Sequence, residues 1–181
     1  GDLISNFSKL LKKEASHEPS GQHILDDEYY RRIEAVQFTM SHDDGKIISD
    51  LENSDIIIVG VSRTSKTPTS IYLANRGYKT SNIPMIPNKN LPPQLFGPKK
   101  KCIVGLVCDP SRLFDVRRNR VQSLNEERSG DYTNQEEIMN EIEKSKKIFK
   151  KNNWPIIDVT RKSVEETAAS IIKIFDILNL R

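Results

Sequence analysis

Asp55 is followed by four consecutive β-branched residues, Ile56-Ile57-Ile58-Val59, and then by Gly60. A strand with one wet face alternates apolar and polar residues, so an unbroken apolar run marks a strand covered on both faces, as in a parallel sheet. Parallel strands need long crossovers, usually helical ones. The chain supplies them. Pro68 introduces the run Thr69 to Arg76, which Gly77 closes, and a proline first with a glycine last is the asymmetry of a short helix. A short strand around Ile83 to Ile86 completes a βαβ unit. Ile103-Val104-Gly105-Leu106-Val107 is a second buried strand, and a helix starts after it at Pro110-Ser111 and runs through Leu113, Val116, Val121 and Leu124. Residues 136–151 pattern as a charged amphipathic helix with Ile138, Ile142 and Phe149 inward. Trp154 to Val159 is a last strand, and Ser163-Val164-Glu165-Glu166 is a capping box that opens a helix to Leu178. Five of the nine prolines lie between Pro84 and Pro98, so that stretch reads as an extended loop. Strands alternating with helices predict an α/β fold with a mostly parallel, doubly wound sheet.

Ahead of the sheet, residues 2–13 have helical spacing, with Leu3, Phe7, Leu10 and Leu11 on one stripe. Glu14 to Gln22 reads as a linker. Asp26 or Asp27 can cap a second helix that ends near His42. The expected organisation is therefore an N-terminal helix and linker over 1–25 and a P-loop-like α/β domain over 26–181. A first residue Gly1 in place of Met raises the expectation that residues 1–25 are the remnant of a longer N-terminal region.

At 181 residues the chain suits one domain, and 36% apolar with 29% charged residues excludes disordered and membrane-embedded classes. The net charge of +3 averages unlike parts. Residues 51–120 carry 12 basic against 4 acidic side chains, whereas residues 1–50 carry 6 against 10. An anionic ligand belongs with the basic centre. Cys102 and Cys108 lie six apart along one strand, roughly 20 Å at about 3.3 Å per residue, which is too far to pair. Two unpaired thiols and no targeting motif predict a cytoplasmic protein. No motif for nucleic acid or membrane is present, and a homo-oligomer is left open.

The turn after the first strand reads Gly60-Val61-Ser62-Arg63-Thr64-Ser65-Lys66-Thr67. It matches the P-loop pattern G-x-x-x-x-G-K-[ST] at Gly60, Lys66 and Thr67, with Ser65 where the second glycine belongs. Amides at a helix N-terminus can surround phosphate oxygens, a lysine can reach terminal phosphates, and a threonine hydroxyl can ligate Mg²⁺. An ordinary polar βα turn would carry similar residues. Asp109, just past the second long strand, can serve Mg²⁺ as well, or can cap the helix behind it. Asp158, Thr160, Arg161 and Lys162 form a second candidate anion site, and Ser163 reads as a helix cap. Arg112, Arg117, Arg118 and Arg120 crowd one helix and read either as a phosphate clamp or as a solvated face. His42-Asp43-Asp44-Gly45 gathers an imidazole and two carboxylates, a source of a general base or simply a turn.

The long string from Gly60 to Gly77, Ser65 included, resembles the regulatory-protein family of pyruvate, phosphate dikinase and phosphoenolpyruvate synthase. The resemblance extends through Arg32 to Ala35, His42 to Gly45, Ile103 to Leu106, Trp154 to Arg161 and Glu165 to Ala168. It implies a bifunctional enzyme that uses ADP to phosphorylate a threonine of the target and inactivate it. The reverse activity uses inorganic phosphate to remove that group as pyrophosphate. It implies a nucleotide site at Gly60, Val61, Ser62, Arg63, Thr64, Ser65, Lys66 and Thr67. Within that frame Lys66 stabilises the transferred phosphoryl, Thr67 and Asp109 are the candidate Mg²⁺ ligands, and Asp43 or Asp44, beside His42, is the candidate base. Two other readings stand beside it: an ATP-dependent small-molecule P-loop kinase, and a non-catalytic nucleotide or phosphate sensor.

Overall fold

The computed structural model describes residues 2–12, 27–97, 101–124 and 131–180. Helix α1 spans Asp2–Leu11 and α2 spans Asp27–Ser41. The linker expected over 14–22 and the cap at Asp26 lie outside the described residues. Strand β1 (Ile56–Val61) leads into α3 (Lys66–Ala74), β2 (Thr80–Met85), β3 (Cys102–Val107) and α4 (Pro110–Leu124). Helix α5 (Gln135–Lys151), strand β4 (Ile156–Asp158) and helix α6 (Val164–Asn179) complete the described elements.

The four strands form one parallel sheet in the order β2-β1-β3-β4. Every residue of β1 and of β3 is buried, as an unbroken apolar run requires. Alternate side chains go to opposite faces. Ile56, Ile58, Val104 and Leu106 pack with Leu73 of α3 and with Ala168 and Ile171 of α6. Ile57, Val59, Ile103 and Val107 pack with Leu51, Leu95 and Phe149. Gly105 makes room for the Phe149 ring, which a Cβ at that position would strike. The sheet is thus covered on both sides, which is the doubly wound arrangement.

Three expectations need correction. β2 begins at Thr80, ahead of Ile83, because Thr80, Ser81 and Asn82 are buried despite being polar. Their groups are satisfied from neighbouring segments: the Thr39 hydroxyl accepts from the Thr80 amide at 3.0 Å, and Ser54 and Ser81 share a hydroxyl bond of 2.7 Å. The proline-rich stretch also contains a 3₁₀ turn, Pro93–Phe96, which drives Leu95 into the core. The first crossover helix starts at Lys66, two residues ahead of Pro68, so proline sits inside its first turn. Ser163 and Glu166 form the expected capping box, and Ile138, Ile142 and Phe149 of α5 are buried. No helix among the described residues is long and apolar enough to cross a membrane.

Candidate functional site

The connections β1 to β2 and β3 to β4 leave the sheet in opposite directions, so the strand order reverses between β1 and β3. Sheets of this kind bind ligands outside the carboxyl ends of the strands at that reversal. The loop Gly60 to Thr67 stands there. Its first residue has no room for a side chain, since a Cβ on Gly60 would lie 2.8 Å from the Leu106 carbonyl oxygen and 2.9 Å from the Thr64 hydroxyl. Arg63 (φ 70°) and Ser65 (φ 58°) both take left-handed backbone. The residue before Lys66 therefore adopts the conformation for which a glycine is normally used, and serine bears it as the cap position of α3.

The loop folds onto one of its own carbonyls. The Val61 oxygen accepts from the Thr64 hydroxyl at 2.9 Å and from the Lys66 ammonium at 3.0 Å. Lys66 is only 6% exposed. Burial lowers its pKa to about 8, Asp44 and Asp43 pull it back up, and Arg63 and Arg117 press it further down.

The two carboxylates whose charge acts on Lys66 come from a 3₁₀ turn at Asp43–Gly45, which follows α2. Its position is fixed by two residues. His42 is buried and stacked on Phe38, and its Nδ1 lies 2.7 Å from the Phe38 carbonyl oxygen while its Nε2 lies 2.8 Å from Asp50 Oδ1. That hydrogen bond holds the Asp50 carboxyl below its ordinary range. With both ring nitrogens engaged, His42 anchors the turn. Asn82 of β2 does the rest. Its amide donates to the His42 carbonyl, its Oδ1 accepts from the Asp44 amide at 3.2 Å, and its Nδ2 donates to Asp43 Oδ1 and to the Thr67 hydroxyl. Thr67 in turn donates to Asp43 Oδ1 at 2.9 Å. Asp43 is thereby engaged by two donors, whereas Asp44 is exposed and lines a groove beside β2. Asp44 itself has φ 51°, and that unusual backbone turns it away from the helix path.

A second support comes from α4 and α5. Arg117 is fully buried, not part of an exposed cationic row. Its guanidinium forks onto Glu141 at 2.6 and 3.2 Å, stacks on the Tyr132 ring, and points Nη2 toward the Ser62 carbonyl oxygen at 3.5 Å. The Tyr132 hydroxyl stands 3.4 Å from both Ser62 Oγ and Arg63 Nε. Arg112, Arg118 and Arg120 are exposed, so the four arginines do not act as one clamp.

At the ends of β3 and β4, Asp109 Oδ1 accepts from the amides of Ser111 and Arg112 and so caps α4. Thr160 accepts from the Asp109 amide at 2.8 Å and donates to Asp158, whose carboxyl is held below its usual range by that bond. Ser163 is used in its capping box, and Arg161 and Lys162 are exposed. Cys102 and Cys108 are buried free thiols with raised pKa values, Cys102 to about 11, so neither is poised as a nucleophile. Among the described residues no group of three or more metal-ligating side chains converges. A Mg²⁺ held largely by phosphate and water needs only one or two protein oxygens, and the Thr67 hydroxyl with Asp43 beside it fits that demand more directly than Thr67 with Asp109. Asn82, Glu141 and Tyr132 were not singled out as site residues from the sequence, and Arg117 was read there only as one of four crowded arginines. Asn82 left one faint signal, a polar residue beside a strand run.

Comparison with known proteins decides the family. The family model described as kinase/pyrophosphorylase matches residues 1–172. The chain belongs to the kinase/pyrophosphorylase family. Among its curated relatives, a protein of Pelagibacter ubique (strain HTCC1062), provisionally named pyruvate, phosphate dikinase regulatory protein, is 61% identical over 178 residues, covering 98% of this chain and 65% of the relative. Proteins with the same provisional name from Paramagnetospirillum magneticum and Caulobacter vibrioides are each 47% identical, over 96% and 95% of this chain. The chain spans 56% and 55% of those two relatives. The kinase/pyrophosphorylase match starts at residue 1, so it takes in α1 as well as the α/β sheet.

Proposed function

We infer that the chain is the phosphotransferase portion of a bifunctional regulator of pyruvate, phosphate dikinase. In this reading it transfers the terminal phosphoryl of ADP to a threonine of the target and inactivates it. It removes the same group with inorganic phosphate. The relatives named above are dikinase regulators by name, which favours the dikinase over phosphoenolpyruvate synthase. The observation that carries the reading is the meeting of two distant segments, with Asp43 hydrogen-bonded to Thr67 and the charges of Asp43 and Asp44 acting on Lys66.

The chemistry follows from that meeting. The loop amides and the Lys66 ammonium stabilise negative charge on the moving phosphoryl. Asp44, whose carboxylate is not tied into the Asn82 network, accepts the proton of the acceptor hydroxyl. The new bond joins the threonine oxygen to the β-phosphorus of ADP, the bond from that phosphorus to the bridging oxygen breaks, and AMP leaves. In the reverse activity an oxygen of inorganic phosphate attacks the phosphothreonine phosphorus. The bond to the threonine oxygen breaks, that oxygen regains a proton from Asp44, and pyrophosphate is released. Mg²⁺, held by Thr67 and Asp43, would supply charge neutralisation of the phosphates. A cytoplasmic setting belongs to the same reading and is supported by the two unpaired buried thiols.

Incubation of the complete protein with dikinase and ADP, followed by mass spectrometry, tests the reading. One phosphoryl on a dikinase threonine with stoichiometric AMP is expected, then its loss as pyrophosphate on adding phosphate. Strict dependence on ATP with turnover of a metabolite would replace it with the small-molecule kinase, and binding of ADP with no transfer would leave a sensor.

A further inference from the structure

A groove of about 520 Å³ opens beside Asp44. Its walls are aliphatic and prolyl, chiefly Ile48, Ile83, Pro84, Ile86, Leu91 and Pro92. Three observations say what occupies it. First, Asp44 is exposed, lines the groove, and sits in the turn whose neighbouring carboxylate, Asp43, accepts from Thr67 of the loop at 2.9 Å, so the groove begins one residue from the phosphate loop. Second, the groove is next door to that loop in sheet register. Pro84 is the Cα partner of Gly60 and Met85 the partner of Val61, so the groove wall lies one strand spacing, about 4.8 Å, from where the loop begins. Third, the groove lies along β2, the edge strand, on the opposite side of β1 from the reversal between β1 and β3. The nucleotide belongs at that reversal. The groove also offers no aromatic or guanidinium face on which a purine could stack. Its aliphatic wall matches apolar side chains, and its polar lining joins the candidate base to Lys89, Asn90 and Gln94, groups that can pair with a polypeptide backbone.

We propose that this groove seats the acceptor segment of the protein substrate, an extended stretch of polypeptide that carries apolar side chains around the hydroxyl residue it delivers to Asp44. The assignment rests on the phosphotransferase reading given above. The nucleotide enters from the β3 side and the polypeptide from the β2 side, so donor and acceptor meet across the loop without competing for one surface. Gly45 closes the Asp44 turn at φ 69°, left-handed backbone that glycine adopts without strain. The hydrogen bonds of Asn82 and His42 hold the Asp44 turn in place before any substrate arrives.

The test is Ile86→Glu, with Leu91→Glu as a second variant, in the complete protein. Ile86 is 48% exposed, so a charge there is tolerated by the fold. With ADP saturating, kcat/KM for dikinase should fall at least tenfold through KM, while ADP binding by calorimetry stays within twofold of wild type. Parallel loss of ADP binding would put the nucleotide in the groove and overturn the proposal. Unchanged kcat/KM in both variants would overturn it as well. Failure of the wild-type protein to phosphorylate dikinase at all would instead remove the phosphotransferase reading and the groove assignment together, a result visible before any variant is made.

Discussion

Ser65 stands at φ 58° without the freedom of a glycine. A left-handed residue with a Cβ costs about 1–2 kcal/mol, so Ser65→Gly should stabilise the protein by up to about 1 kcal/mol once the extra chain entropy of glycine is subtracted. Thermal unfolding reads the change, and ADP binding should persist in the variant. Lys66 is the opposite case, a charge kept in a dry place by its surroundings. Its pKa of about 8 makes the free loop lose its cation as pH rises above that value. ADP affinity should therefore weaken between pH 7 and 9, and Lys66→Arg should flatten that decline, as titration calorimetry across this range would show. For stability the sign is reversed. Between about 8 and the ordinary lysine value the unfolded chain holds more protons than the folded one, so the burial penalty is full below pH 8 and eases as pH rises. Lys66→Ala should abolish transfer and leave the fold intact. Asp44→Asn should lower both directions of transfer by a factor of at least 100 with ADP binding retained, and intact turnover would take the proton acceptor elsewhere.

At the scale of elements, the loop is shaped by helices that come much later in the chain. Arg117 of α4 and Glu141 of α5 form a buried pair behind Ser62, and Tyr132 closes over it. Removing one partner strands the other charge, so Arg117→Met should cost about 3–5 kcal/mol, whereas Arg117→Met with Glu141→Leu should recover most of that loss. The recovered double variant should still bind ADP less tightly, because the Ser62 carbonyl has lost its donor. Chemical denaturation and calorimetry on the three variants separate the two effects. Strand β2 is likewise made by its neighbours. Thr80, Ser81 and Asn82 read as a break in apolar patterning, yet hydroxyls and carbonyls from Thr39, Ser54 and His42 let them be buried. A strand start set by partners 27 to 41 residues away leaves no local pattern to read.

At the scale of the molecule, the order β2-β1-β3-β4 puts the Gly60 to Thr67 loop beside the reversal of strand order, between the sides proposed for donor and acceptor. A ligand that binds only the folded state stabilises it by about 2.7 kcal/mol at 100 times its dissociation constant. ADP should raise the melting temperature of the complete protein accordingly, with no shift in Lys66→Ala. The amino-acid sequence by itself determined the parallel sheet, because the runs at Ile56 and Ile103 admit no wet face, and it determined the polar turn from Gly60 to Thr67, because Gly60, Lys66 and Thr67 are contiguous with one strand and one helix. The capping box at Ser163 and the glycine stop at Gly77 were local and equally legible. Only the tertiary structure separated Asp43 from Asp44, one bound to Thr67 and Asn82 and the other open to a groove, since adjacent carboxylates look alike until a strand is laid beside them. It also turned Arg117 from a surface charge into a buried brace, and assigned His42 to Asp50 and Phe38. Those roles depend on which distant group lies within hydrogen-bond distance, a property of the folded chain that local sequence pattern does not carry.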